Sequence, residues 1–263
     1  MDSKPIFIIG CPRSGTTLVR VILDSHPSIC CGPETHILKH MKYLREKIDE
    51  HWKMLKPYRI DETTIDTKVG EILSVFTDNY VKLKNKKRWA EKTPENIFYV
   101  DFINRFFPDC QFINVIRDGR DVVSSFKRRW GRKAVLSGIN YWNKSINLND
   151  KYRKQFPKER YFEVRYEDLV TKTEEITRKI MDFLNEEWLP VLLQHQKSKH
   201  DFWFDHSKES DIDKRSEKHP ERHSPSKPVF SSSVGTWKKD LNIIEKALIN
   251  LLMKENLKKL KYL

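Results

Sequence analysis

This sequence predicts an α/β fold with a central, mainly parallel sheet flanked by helices, and three observations carry the prediction. Short apolar runs rich in β-branched and aromatic residues occur at 6–9, Gln111–Ile116 and Tyr161–Arg165, the pattern of strands buried on both faces. Other segments place apolar residues every three or four positions, the pattern of helices packed along one side. The first run also leads through a glycine-bounded loop, Gly10 to Gly15, into helical spacing at Thr16, a P-loop-like strand–loop–helix start.

The elements follow in order. Gly10 ends the first strand, and from Thr16 the residues Leu18, Val21 and Ile22 share one helical face until the turn Asp24-Ser-His-Pro27. Helices are predicted near 35–47 and 65–83. Arg88–Lys92 reads as a short extended segment, with Thr93 as N-cap and Pro94 as first residue of a helix that runs to about Phe107 and stops at Pro108. After 111–116, a helix starts within Arg117-Asp-Gly-Arg-Asp121 and continues past Arg129, and a long helix covers 136–152. Tyr166-Glu-Asp-Leu169 leads from the third strand into a helix ending near Leu184.

Residues 196–228 are polar and nearly charge-balanced, and they read as a mobile loop placed to act as a lid. His200-Asp201 and Asp205-His206 lie in it without the regular frame of a metal site, so no metal is expected. A basic helix closes the chain, and its stripe of Ile243, Ile244, Ala247, Leu248, Leu251 and Leu252 is expected to pack onto the sheet. The 263 residues, 38% hydrophobic, are read as one domain, 1–263.

Composition narrows the ligand. A net charge of +13, scattered rather than gathered in one arm, favours an anionic partner without naming it. No apolar run approaches the ~18 residues of a membrane span, and nothing near Met1 reads as a signal peptide. Cys11, Cys30, Cys31 and Cys110 lack metal-ligand spacing, so reduced thiols in a cytoplasmic protein are expected.

Two anion sites are legible. Strand, glycine loop and helix N-terminus together cradle a phosphate-like group, because loop amides and the helix dipole converge there. Gly10-x4-Gly15 matches the first half of a Walker A loop, but Thr16-Thr17 stand where Lys-Ser/Thr would follow, which argues against an ordinary nucleoside triphosphate. The second site lies at the end of the 111–116 strand. Arg117 stands at the strand's carboxyl edge, and Ser125 and Arg129 share a helical face one turn apart. A ligand with two separated phosphate-like groups would use both.

The loop Pro12-Arg-Ser-Gly-Thr-Thr-Leu18 and the block Val115-Ile-Arg-Asp-Gly-Arg-Asp-Val-Val-Ser-Ser125 resemble the two signatures of sulfotransferases that use 3′-phosphoadenosine 5′-phosphosulfate (PAPS). Tyr166-Glu-Asp-Leu169 and Gly235-Thr-Trp-Lys238 look like later landmarks of that family, so the resemblance covers most of the chain. It implies transfer of a sulfuryl group from PAPS to an acceptor hydroxyl, with adenosine 3′,5′-bisphosphate as product and no metal. It also implies that Arg13, Ser14, Gly15, Thr16 and Thr17 hold the 5′-phosphosulfate, and that Arg117, Ser125 and Arg129 hold the 3′-phosphate. Lys238 and the serines before it would close over the 3′-phosphate. Tyr166 and Trp237 read either as core aromatics or as neighbours of the adenine.

The segment from Arg13 through Cys31-Gly-Pro-Glu-Thr35 is most similar to the tyrosylprotein sulfotransferase branch. That likeness implies Glu34 as general base, with Arg13 and Lys92 stabilising the departing oxygen. In-line sulfuryl transfer needs such a base and such cations. The sequence departs from the family in places. Lys92-Thr93-Pro94 has proline where cytosolic sulfotransferases place a base histidine, leaving Glu34, with His36 as the weaker candidate. The tyrosylprotein branch has an arginine at the position of His36 and a membrane anchor, so the acceptor stays open among protein tyrosine, carbohydrate, lipid and small phenol. The rival readings are a P-loop nucleotide kinase, opposed by Thr16 and Arg117, and a basic nucleic-acid-binding module, for which no motif is legible.

Overall fold

The computed structural model describes residues 4–201 and 227–263. Five strands, β1 (Ile6–Gly10), β2 (Ile29–Cys31), β3 (Arg88–Lys92), β4 (Gln111–Ile116) and β5 (Tyr161–Arg165), form one parallel sheet in the order β2-β3-β1-β4-β5. β1 is central because β2 and β3 lie on one side of it, with β3 inserted between β2 and β1, and β4 and β5 extend the sheet on the other. The carboxyl ends of β3, β1 and β4 therefore flank the switch point where ligands bind in open α/β sheets. The register places Lys92 beside Ile8 and Gly10 beside Val115, so β3 ends two residues short of β1 and β4 runs one residue beyond it.

Alternation along β1 feeds two cores. Phe7 and Ile9 pack with Trp89, Phe112 and residues of α2 (Ile37–Glu50), α4 (Glu62–Lys84) and α5 (Val100–Phe106). Ile6 and Ile8 pack on the other face with Val19, Ile22 and Leu23 of α1 (Thr16–Asp24) and with Ile180 and Met181 of α9 (Thr173–Leu184). A short helix, α3 (Trp52–Leu55), follows α2. A third cluster joins α6 (Gly119–Trp130), α7 (Ala134–Gln155) and the closing helix α11 (Ile243–Lys259). Between these, α8 (Tyr166–Thr171) leaves β5, and one turn, α10 (Trp237–Asp240), precedes α11.

The structure departs from the sequence expectations in four places. Ile29–Cys31 is a strand too short to announce itself. The helix expected from Pro94 begins as a 3-10 turn, Pro94–Tyr99, before α5, and the Thr93 hydroxyl donates to Glu91 instead of capping. The inward face of α11 is Glu245, Ile249, Met253 and Leu257, while Ile243 is 83% and Leu251 74% exposed. The helix is apolar on both sides, so periodicity cannot choose between them. Glu245 chooses, through a capping box with Asn242 and an ion pair with Lys127. Finally, His200 is buried against Asp24, not solvated. Residues 196 and 197 also end a 3-10 helix, Pro190–Lys197, while the lid assignment and Asp205-His206 fall on 202–226, outside the described residues.

Candidate active site

The loop between β1 and α1 is shaped by close approaches. Gly10 (φ 147°) and Gly15 (φ 98°) have positive φ, and a Cβ on Gly15 would lie 2.3 Å from the Tyr166 ring. Arg13 is also left-handed, at φ 72°, a costly conformation for a residue with a side chain. Its carbonyl accepts Arg117 Nη1 at 3.2 Å, which helps hold that backbone in place. Ser14 N donates to Cys11 O at 3.1 Å, closing the turn from which α1 starts at Thr16.

The two predicted anion sites meet. Arg13 Nε donates to Ser125 Oγ at 2.9 Å, and Arg117 lies with its guanidinium carbon 4.3 Å from the Tyr166 ring centroid. Arg117 Nη2 donates to Ser233 O at 2.6 Å, and Ser233 Oγ lies 2.5 Å from the Tyr166 hydroxyl. Arg13, Ser125, Arg117, Tyr166 and Ser233 thus form one connected group. Arg129 lies one helical turn beyond Ser125, half-buried.

At the end of β3, Lys92 is 2% exposed. Its ammonium donates to Glu34 Oε1 and, at 3.2 Å, to Thr17 Oγ1. The other Glu34 oxygen lies 3.4 Å from His36 Nε2. The structure therefore brings Glu34, Lys92, Thr17 and His36 together from α1, β3 and the turn after β2.

Trp237 and Lys238 are placed differently. Trp237 packs against the cluster of α6, α7 and α11, with Arg120 at 4.2 Å and Lys246 at 6.0 Å from its ring centroid. Lys238 is exposed, and its carbonyl accepts Lys246 Nζ. Ser233 is the residue of this segment that contacts Arg117.

The sequence reading missed Asp121. Its carboxylate accepts Gly235 N at 2.7 Å and Trp237 N at 3.0 Å, and so fixes the closing segment beside Arg117. An aspartate in the first turn of a helix reads only as a partner for the helix dipole, so nothing local pointed to this role.

A multiply charged anion fits these residues on one further observation. Ser14 Oγ and Arg117 Nε are buried and have no hydrogen-bond partner among the described residues, although interiors rarely leave such groups unpaired. Both belong to the two anion sites. Among the described residues, no group of His, Cys, Asp and Glu is arranged to hold a metal.

Comparison with known proteins follows the same lines. The model of the Sulfotransferase family matches residues 5–190. The Drosophila melanogaster protein-tyrosine sulfotransferase is 31% identical over 205 residues, 73% of this chain and 40% of its own. Caenorhabditis elegans protein-tyrosine sulfotransferase A is 30% identical over 207 residues, 73% of this chain and 52% of its own. The chain thus spans about half the length of these curated relatives. Among solved structures, the sulfotransferase domain of the Synechococcus PCC 7002 olefin synthase superposes with a TM-score of 0.63 at 20% identity, covering 95% of each chain. Mouse sulfotransferase SULT7A1 complexed with PAP gives 0.55 at 15% identity, covering 97% of this chain and 85% of its own. At these identities the structural likeness speaks for the fold.

Proposed function

The chain belongs to the sulfotransferase family, and from that premise we propose that it transfers a sulfuryl group from PAPS to an acceptor hydroxyl, with Glu34 as base. The observation that carries this reading is the contact of Lys92 Nζ with both Glu34 and Thr17. It joins a carboxylate, a buried ammonium and the anion loop at one point, as in-line transfer requires.

When bound, PAPS supplies the sulfuryl group and a phosphate oxygen as leaving group. Thr16, Thr17 and the amides at the start of α1 would hold the 5′ end, with Ser14 Oγ as a spare donor. Arg117 and Ser125 would hold the 3′-phosphate, joined by Arg129 from the next turn of α6. Tyr166 would pack near the adenine, together with the more distant Trp237, and Lys238 would lend positive charge at the rim. Lys92 Nζ and Arg13 would donate to the leaving oxygen. Glu34 would take the acceptor proton at Oε2, since Oε1 already accepts from Lys92, and His36 would orient that second oxygen. The likeness to enzymes named for protein tyrosine makes a phenolic hydroxyl the first acceptor class to test. The four cysteines are buried and unpaired, which suits a reducing compartment such as the cytoplasm. Among the described residues, no helix is long and apolar enough to cross a membrane.

The test combines titration calorimetry with adenosine 3′,5′-bisphosphate, in the absence of magnesium, and an assay of labelled sulfate transfer to phenolic, sugar and lipid hydroxyls. Tight binding and transfer to one of these classes are expected. A preference for magnesium-ATP would overturn the reading.

A further inference from the structure

Glu91 immediately precedes Lys92 in β3, and the transfer step above does not use it. It is 3% exposed, and four donors converge on its carboxylate. Oε1 accepts Thr93 Oγ1 at 2.7 Å and Thr35 Oγ1 at 3.0 Å, with Thr35 N at 3.5 Å, while Oε2 accepts Asn96 Nδ2. Thr35 follows Glu34 in the chain and Thr93 follows Lys92. One buried carboxylate oxygen therefore ties together the residues next to the proposed base and electrophile.

The turn that carries Glu34 needs such a tie. Arg20 holds its beginning through Cys31 O and Gly32 O. Beyond Gly32, bonds to β3 run from Thr35 to Glu91 and from Glu34 to Lys92. His36 then sits at φ 53°, a left-handed conformation that persists only where the surroundings enforce it. A buried carboxylate is costly, and burial pushes the Glu91 pKa upward. Only an acceptor-only group can serve four donors at once, which explains why this residue type stands in a buried strand.

We infer that Glu91 is a positioning residue, holding the Glu34 turn against β3 so that the Glu34 carboxylate meets Lys92 Nζ. The inference rests on the sulfotransferase reading for the roles of those two side chains. Glu91 is not itself the base, since its oxygens are occupied by Thr35, Thr93 and Asn96.

Four single variants and one double variant test it, with kcat, KM, the Kd for adenosine 3′,5′-bisphosphate, and amide hydrogen exchange over 32–37 as readouts. Thr35→Val and Glu91→Leu are expected to lower kcat by about 10–100-fold while leaving the Kd unchanged, since misplacement of a reacting group costs of that order. Thr35→Ser keeps the hydroxyl, and Glu91→Gln keeps Oε1 as acceptor with the Asn96 amide turned over, so both should behave like the wild type. The double variant Thr35→Val/Glu91→Leu should be no slower than Glu91→Leu alone, because both changes break one link. Exchange over 32–37 should quicken in the two disrupting variants. An unchanged kcat in Thr35→Val, losses that multiply in the double variant, or loss of nucleotide binding in step with kcat would each overturn the inference. Thr35 is exposed, so the Thr35 pair decides the matter even where Glu91→Leu does not fold. A wild-type protein that transfers sulfate to no hydroxyl defeats the sulfotransferase reading instead. Exchange over 32–37 then still decides whether Glu91 holds the turn, and unchanged exchange would show that it does not.

Discussion

Arg13 Nε donates to Ser125 Oγ across 2.9 Å, so the loop after β1 and the helix after β4 share a bond between residues 112 positions apart. One residue thereby contributes to both ends of the proposed nucleotide site. Ser125→Ala is expected to weaken adenosine 3′,5′-bisphosphate binding about tenfold, the ~1–1.5 kcal/mol of one hydrogen bond. Calorimetry measures this directly, and unchanged affinity would show that Ser125 does not hold the ligand.

Arg117 does more. It stacks on Tyr166, donates to the carbonyls of Arg13 and Ser233, and keeps a buried Nε without a partner among the described residues. Arg117→Ala should weaken the same ligand by roughly 10–150-fold, the ~1.5–3 kcal/mol of a charged hydrogen bond. Arg117→Lys should recover little of this, because an ammonium neither stacks nor forks. Recovery of most of the affinity by lysine would leave charge alone as the cause.

Glu34→Gln should bind nucleotide as the wild type does and lose about 10²–10⁴ in kcat, the usual contribution of a general base. Comparing the titration with the transfer assay separates the two effects. Full activity would remove Glu34 from the role and turn attention to His36, 3.4 Å from it.

The sheet was legible because parallel strands buried on both faces read as unbroken apolar runs, as at Phe7, Ile8 and Ile9. β2 was not, since three residues ending in two thiols give too little pattern for an assignment. The face of α11 was illegible for the opposite reason, an excess of apolar positions. In the site, the loop and Arg117 stood out because both follow the carboxyl ends of apolar strands, where open α/β sheets bind their ligands. Glu91 and Asp121 did not stand out. Their partners Thr35 and Gly235 lie 56 and 114 residues away, and only the fold brings them near. Thr93 misled for another reason. It occupies the N-cap position, but its hydroxyl donates to the buried carboxylate of Glu91 two residues back and makes no capping bond.

Gly15 offers a steric test. A Cβ there would meet Tyr166 Cδ2 at 2.3 Å, and the backbone already has φ 98°. Gly15→Ala must therefore push the Tyr166 ring away from Arg117 or reshape the loop. Nucleotide affinity should fall at least tenfold, and stability by about 1–3 kcal/mol, the range for overpacking and strain. Thermal melts with and without adenosine 3′,5′-bisphosphate report both, and a ligand-induced rise in Tm equal to the wild type's would count against this packing.

Two buried carboxylates should give opposite pH responses. Burial raises the Glu91 pKa above its ordinary 4.5, so the folded state holds that proton more tightly than the unfolded chain. Its contribution to stability is then fully present below about 4.5 and is lost as pH rises through the raised value. Relative to Glu91→Gln, the wild type should lose stability over that rise. Asp24 behaves in the reverse sense. Burial opposes its ionisation, but the hydrogen bonds from His200 and Cys31 N and the charge of Lys86 outweigh it and lower the pKa below 3.8. That contribution is present above 3.8 and disappears as pH falls through the lowered value, so the wild type's advantage over Asp24→Asn should vanish in acid. Denaturant titrations of the three proteins at a series of pH values check both slopes. A Glu91→Gln difference that stays flat above 4.5 would mean that the carboxyl titrates as it does in the unfolded chain.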